Sequence, residues 1–160
     1  MRPASDFDHI TSNIAIWHGY DSAVKSELYS TCVAISCGAY LIDPIPLERE
    51  ALDELVDSSR VAGIVLTNSN HHRASARLAT EFLAPLFGHG ETFSHTPRHE
   101  FRTVAHGDKI SEGLTVIGIE GAADGEIALY PLRLSPPSGL GPVRTAGYSR
   151  KDYGREPGNG

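Results

Sequence analysis

Apolar residues near the start of the chain follow the two-residue period of strands. Ile14, Ile16 and the neighbouring Trp17 predict a first strand. The segment from Tyr29 to Ile42 is rich in β-branched and aromatic residues and is interrupted at Gly38, which predicts a hairpin or a bent strand. The chain is therefore expected to begin with paired strands.

Helical spacing appears after Asp43, where two prolines end the preceding strand. An amphipathic helix is predicted from Leu47 to about Asp57, and a short apolar run from Val61 to Leu66 predicts a strand buried on both faces. A second helix follows, with an apolar face formed by Ala74, Leu78, Ala79, Phe82 and Leu83. The order strand, helix, strand, helix implies a parallel pair joined by a right-handed crossover.

The second half of the chain predicts a smaller set of strands. A polar stretch with three histidines follows Phe87: His89, His95 and His99. Beyond it, Leu114–Ile119 and Glu126–Leu129 predict strands separated by a turn from Gly121 to Gly125. Asp108 to Gly113 is expected to be a hairpin connection.

Composition divides the chain at Pro131. Residues 1–130 are predicted to form one α/β domain, and residues 131–160 a disordered or loosely attached tail, because that tail is rich in proline and glycine and has no periodic apolar pattern. Its five basic and two acidic residues give it a local charge of +3. A solvated linker is the simpler interpretation, although such a tail could contact an acidic partner.

Charge and cysteine content exclude several classes of protein. The net charge is −6 and no segment gathers Lys and Arg, so nucleic-acid binding is not expected. Cys32 and Cys37 should face opposite sides of a strand, which predicts two free thiols in a reducing compartment. No export signal and no run of about 18 apolar residues is present, so we expect a cytoplasmic protein without membrane contact.

The most informative segment runs from Gly63 to Ala76, where a polar cluster joins a buried strand to a helix. Its sequence is Gly-Ile-Val-Leu-Thr-Asn-Ser-Asn-His-His-Arg-Ala-Ser-Ala, and ligands of α/β proteins bind at this end of a strand. The segment resembles the metallo-β-lactamase superfamily, whose signature is a buried strand ending in Thr, then His-x-His-x-Asp-His, then a helix. The resemblance extends to Leu41-Ile42-Asp43 upstream and to Leu114–Leu129 downstream, and covers residues 14–130.

This resemblance implies an αββα sandwich of which the chain holds only the N-terminal half. It places the signature's first two histidines on Asn68 and Asn70, its aspartate on His72 and its last histidine on Arg73. A further family histidine would follow Gly121, where this chain has Ala122. The family's later bridging aspartate and final histidine would lie in a region that the chain lacks. We therefore expect no metal and no cofactor at this site.

Arg73 is a main reason to expect no metal, because a guanidinium stays protonated and has no acceptor. It could replace the missing metal charge and donate to acceptors such as the Asn68 and Asn70 carbonyls. Asp43, at the same rim, is expected either to pair with Arg73 or to begin a turn. Asn68, Ser69 and Asn70 could cap the following helix, with or without forming a pocket.

Three functions remain open on the sequence. The first is a binding or scaffold module without functional zinc, with a pocket lined by Asp43, Asn68, Asn70, His72, Arg73 and Ala122. The second is a hydrolase of an ester, thioester, lactam or phosphodiester, in which His71 or His72 is the base and Arg73 stabilises negative charge. Zinc is expected only if the protein is such a hydrolase, or if His71 and His72 form a new metal site with the later histidines. The third is a subunit whose incomplete fold is covered by self-association or by a partner protein.

Overall fold

The computed structural model describes residues 1–56, 60–93, 101–123 and 125–132. His95, His99 and the tail from residue 133 onward lie outside these ranges, so the predictions made for them are not tested.

The larger sheet contains seven strands that follow one another in chain order. They are β1 (Asp8–His9), β2 (Ile14–Asp21), β3 (Ser26–Ile35), β4 (Gly38–Ile42), β5 (Val61–Val65), β6 (Leu86–Gly88) and β7 (Phe101–Thr103). The first four pair antiparallel, and β4 to β7 pair parallel. The predicted hairpin is confirmed, since β3 and β4 form an antiparallel pair and β4 begins at Gly38.

Two helices connect the parallel strands, as the apolar spacing predicts. Helix α1 (Arg49–Val56) joins β4 to β5, and α2 (Ser75–Phe82) joins β5 to β6. The first helix begins two residues later than predicted because Leu47 instead forms a bridge with Ala4. Leu83 was assigned to the apolar face of the second helix, which is wrong: its left-handed backbone ends the helix and leaves it 89% exposed.

A second, three-stranded antiparallel sheet has the order β10-β9-β8. Its strands are β8 (Lys109–Ser111), β9 (Leu114–Gly118) and β10 (Ile127–Pro131). The assignment of Asp108 to Gly113 as a connection is wrong, because Lys109 and Ser111 pair with β9 and the turn is confined to Glu112 and Gly113. Strands β6 and β7 are absent from the sequence prediction, since each has three residues and neither alternates between buried and exposed.

The core has two apolar layers, one on each face of the larger sheet. One lies between that sheet and the helices and includes Trp17, Leu41, Ile64 and Leu78. The other lies between the two sheets and is formed around residues such as Val65, Phe87 and Val116. β5 is therefore buried on both faces, as predicted. The helices, the larger sheet and the smaller sheet are three layers of an αββα sandwich. None of the helices within them is long and apolar enough to cross a membrane.

Candidate functional site

The polar cluster lies where two parallel strands end side by side. Ile42 of β4 pairs with Val65 of β5, and the Asp43 main-chain N–H donates to the Val65 carbonyl over 2.9 Å. The turn from Thr67 into α2 therefore passes directly beside Asp43. This arrangement is the carboxyl-terminal rim at which α/β sheets bind ligands.

Asp43 is the centre of the cluster. It is only 9% exposed, and its carboxylate accepts the Thr67 main-chain N–H over 2.8 Å and the Thr67 hydroxyl. His71 Nδ1 lies 2.8 Å from Asp43 Oδ2, and the Thr67 hydroxyl lies 3.0 Å from the same nitrogen. A carboxylate facing Nδ1 holds the imidazole proton on that nitrogen. His71 Nε2 is then left as an acceptor.

The partners of Arg73 differ from those predicted. Its guanidinium donates to the Tyr29 carbonyl over 3.1 Å and to the Asp43 carbonyl over 3.3 Å, and not to the carbonyls of Asn68 and Asn70. Arg73 does meet Asp43, but at its main chain, because Thr67 and His71 occupy the carboxylate. Burial lowers the pKa of Arg73, against the opposing effect of the Asp43 and Asp21 charges. A guanidinium nonetheless remains charged at neutral pH.

Asn68 and Asn70 stabilise the turn rather than cap the helix. Asn68 Oδ1 accepts the Asn70 main-chain N–H over 2.9 Å, and Asn68 Nδ2 lies 3.3 Å from His71 Nε2. The residue at the N-cap of α2 is Ala74, which has no side-chain cap. The capping prediction for Asn68, Ser69 and Asn70 is therefore wrong, because the turn continues for several residues before the helix begins.

His72 and Ala122 occupy different surroundings from the Asp43 cluster. His72 Nε2 lies 3.0 Å from the Thr92 carbonyl, and its ring meets Phe93 edge to face. Ala122 lies in the exposed β9–β10 turn, where it lines a groove that also includes His89. In the described part of the chain, no three His, Cys, Asp or Glu side chains are placed to hold a metal together. His71, His72 and His89 are therefore not grouped as metal ligands, and the alternative site with His95 or His99 is not tested.

The sequence prediction missed the Asp43–Thr67–His71 contact. Asp43 and His71 were each named as candidates, but their partners were not. The available signal was the parallel pairing of the two strands, which brings Asp43 beside Thr67 and the turn that follows it.

Comparison with known proteins identifies the family. The family model described as metallo-beta-lactamase superfamily matches residues 9–133, and the chain belongs to this superfamily. No curated protein matches the chain.

Solved structures of the same fold are distant in sequence. The metallo-β-lactamase IND-7 is 15% identical with a TM-score of 0.60, over 78% of this chain and 65% of that one. A metallo-β-lactamase from Pontibacter korlensis is 17% identical with a TM-score of 0.60, over 79% of this chain and 66% of that one. A flavoprotein from Thermotoga maritima is 12% identical with a TM-score of 0.63, over 82% of this chain and 40% of that one. The chain thus spans about two thirds or less of these proteins, and at such identities the likeness shows the fold alone.

The described side chains at the positions matched to the signature differ from the ligands that zinc usually takes. Zinc is bound by Cys, His and carboxylate ligands. The positions that the sequence analysis matched to the signature hold two amides, an imidazole bonded to Thr92 and a guanidinium bonded to two carbonyls. The carboxylate at the rim, that of Asp43, is already engaged by Thr67 and His71.

Proposed function

We propose that this member of the superfamily works without zinc, as a binding or scaffold module rather than as a hydrolase. The observation that carries the proposal is the placement of the guanidinium of Arg73, the residue that the resemblance matches to the signature's last histidine. Its guanidinium donates to the Tyr29 and Asp43 carbonyls, which anchors a fixed positive charge at the rim. A cation brought to this place would be repelled, and the repulsion is stronger where burial reduces screening.

The remaining signature positions support the same proposal. Asn68 offers an amide instead of an imidazole, and its oxygen already accepts the Asn70 N–H. The methyl group of Ala122 offers no ligand atom at all. Polar groups that are satisfied within the protein have little to gain from an incoming ion. The turn is therefore suited to holding its own shape and to presenting a fixed surface.

A second candidate, a hydrolase with a rebuilt site, is favoured by one specific contact. The Asp43 carboxylate faces His71 Nδ1 at 2.8 Å, which directs the free lone pair to Nε2 as general-base catalysis requires. Nε2 is covered in part by the Asn68 amide at 3.3 Å. A water molecule would have to displace that amide before His71 could activate it.

A hydrolysis assay separates the two candidates. The full chain is incubated with ester, thioester, lactam and phosphodiester substrates, and we expect rates no higher than the buffer background. His71→Ala is the test variant, and His18→Ala, which removes an exposed imidazole on β2, is its matched control. Turnover that is lost in His71→Ala and kept in His18→Ala would establish the hydrolase and overturn the proposal.

A further inference from the structure

A groove of about 480 Å³ lies beside the β9–β10 turn, a volume within the usual range of small-molecule sites. It is lined by the turn itself, by His89, which follows β6, and by His106, which precedes β8. Ile127 at its base donates its main-chain N–H to the Thr67 carbonyl over 2.9 Å. The groove is thereby fixed to the end of β5, but it does not include the Asp43 cluster.

Both histidines are held in one tautomer by main-chain donors. His106 Nδ1 accepts the Gly118 N–H over 3.1 Å, and His89 Nδ1 accepts the Glu91 N–H over 3.3 Å. A ring nitrogen that accepts an N–H carries no proton, so this geometry favours the tautomer with the proton on Nε2. These rings can donate a hydrogen bond to a ligand oxygen.

The groove also contains carboxylates. Glu120 and Glu126 line it, and no Lys or Arg does so among its described lining residues. Two like charges in one concavity raise the local concentration of cations and repel anions. A phosphate or carboxylate ligand is disfavoured for the same reason.

Apolar side chains also line the groove, and the close approach of the turn to His89 involves a glycine. Ile119, Ala122 and Ala123 line the groove together with the buried Ile127. A Cβ on Gly125 would lie 3.0 Å from Glu91 Cβ and 3.1 Å from His89 Nδ1, so a side chain there would push the turn away. The groove thus combines an apolar surface, two fixed N–H donors and two negative charges.

We propose that this groove binds a small organic cation, an ammonium or guanidinium group on an apolar stem. The carboxylates pair with the cation, Ile119 and Ile127 cover the stem, and the imidazole N–H groups are available to a hydroxyl or carbonyl oxygen on it. Of the positions matched to the signature, only Ala122 lines the groove, and Asp43, Thr67 and His71 do not, so binding here does not depend on whether the Asp43 cluster binds or catalyses anything.

The test is a chemical-shift titration of the isotope-labelled full chain with three probes of similar shape: 2-phenylethylammonium, 2-phenylethanol and 3-phenylpropionate. We expect the ammonium probe to shift amides of residues 118–127 and to bind about tenfold more tightly than the alcohol. The carboxylate probe should give no saturable shift. Equal binding of the ammonium and carboxylate probes, or shifts centred elsewhere, would overturn the proposal.

Variants assign the charges responsible. The double variant Glu120→Gln and Glu126→Gln should weaken ammonium binding about tenfold, since each exposed ion pair contributes modestly. Glu50→Gln, which removes one exposed carboxylate on α1, should leave the affinity unchanged. An unchanged affinity in the double variant, with a thermal unfolding midpoint equal to that of the natural chain, would contradict the assignment.

Discussion

His71 Nδ1 lies 2.8 Å from Asp43 Oδ2 and joins the turn after β5 to the end of β4. The same carboxylate accepts two hydrogen bonds from Thr67. One buried side chain thus connects the end of β4 to the turn after β5. This turn is held by the Asp43 carboxylate and its donors.

Replacing Asp43 should destabilise the fold. Asp43→Ala leaves the Thr67 and His71 donors without their acceptor, and we expect a loss of about 1–3 kcal/mol in the free energy of unfolding. Asp43 also has a φ of 48°, which Asn tolerates better than Ala. Asp43→Asn should therefore lose less. Urea unfolding followed by the fluorescence of Trp17, which is 1% exposed, measures both variants. Equal stability of Asp43→Ala and the natural chain would contradict the role of this carboxylate.

Gly63 on β5 should not accept a side chain. A Cβ there would lie 2.6 Å from the Phe87 ring and 3.0 Å from the Tyr40 ring. Gly63→Ala is expected to cost about 1–3 kcal/mol, as overpacking of a core does. Gly90→Ala is the matched control, since a Cβ at Gly90 meets nothing within 4 Å. Thermal unfolding of both variants checks this, and a smaller loss for Gly63→Ala than for Gly90→Ala would show the packing to be wrong.

Stability should fall in alkaline solution. Desolvation by burial raises the pKa of Cys32 from 9.0 to about 12. The pKa of Tyr40 is raised from 10.0 to about 12, and desolvation is the largest of several causes. At a pH between the unfolded and the folded pKa of either group, the unfolded chain has lost a proton that the folded chain keeps. Ionisation of Cys32 and Tyr40 therefore favours unfolding as the pH rises. Each group lowers the free energy of unfolding by up to about 1.4 kcal/mol per pH unit. Urea midpoints at pH 8 to 10.5 measure the slope. Cys32→Ala should flatten it above pH 9, and an unchanged slope would contradict the burial of this thiol.

The two thiols should react at very different rates. Cys37 is exposed, whereas Cys32 is buried and its pKa is raised to about 12 by desolvation. Because the thiolate is the reactive form, a chromogenic disulfide reagent at pH 8 should modify one thiol quickly in the folded chain and both in denaturant. Cys37→Ser should remove the fast phase. Two fast thiols in the folded natural chain would be inconsistent with the structure.

The sequence predicted the fold well where apolar periodicity was long. The β3–β4 hairpin, both helices and the doubly buried β5 all follow from runs of five or more residues. Strands β6 and β7 have three residues each and carry no such period. They form because neighbouring strands offer main-chain partners, which are tertiary contacts that a local pattern does not contain.

At the candidate site, the choice of residues stays a prediction, and their partners could not be read from the sequence. The signature positions follow from the chain order around Thr67. Which donor meets which acceptor depends instead on the strand register, and so Arg73 meets main-chain carbonyls while His71 takes the Asp43 carboxylate. The expected self-association or partner contact stays a prediction.

Zinc binding measured by calorimetry on the full chain tests the central claim most directly. The account predicts no stoichiometric tight binding at neutral pH, because Arg73 holds a fixed charge at the signature turn and Asn68 and Ala122 replace histidines. Binding of one or two equivalents of zinc that is weakened in both Asn68→Ala and His72→Ala would contradict it.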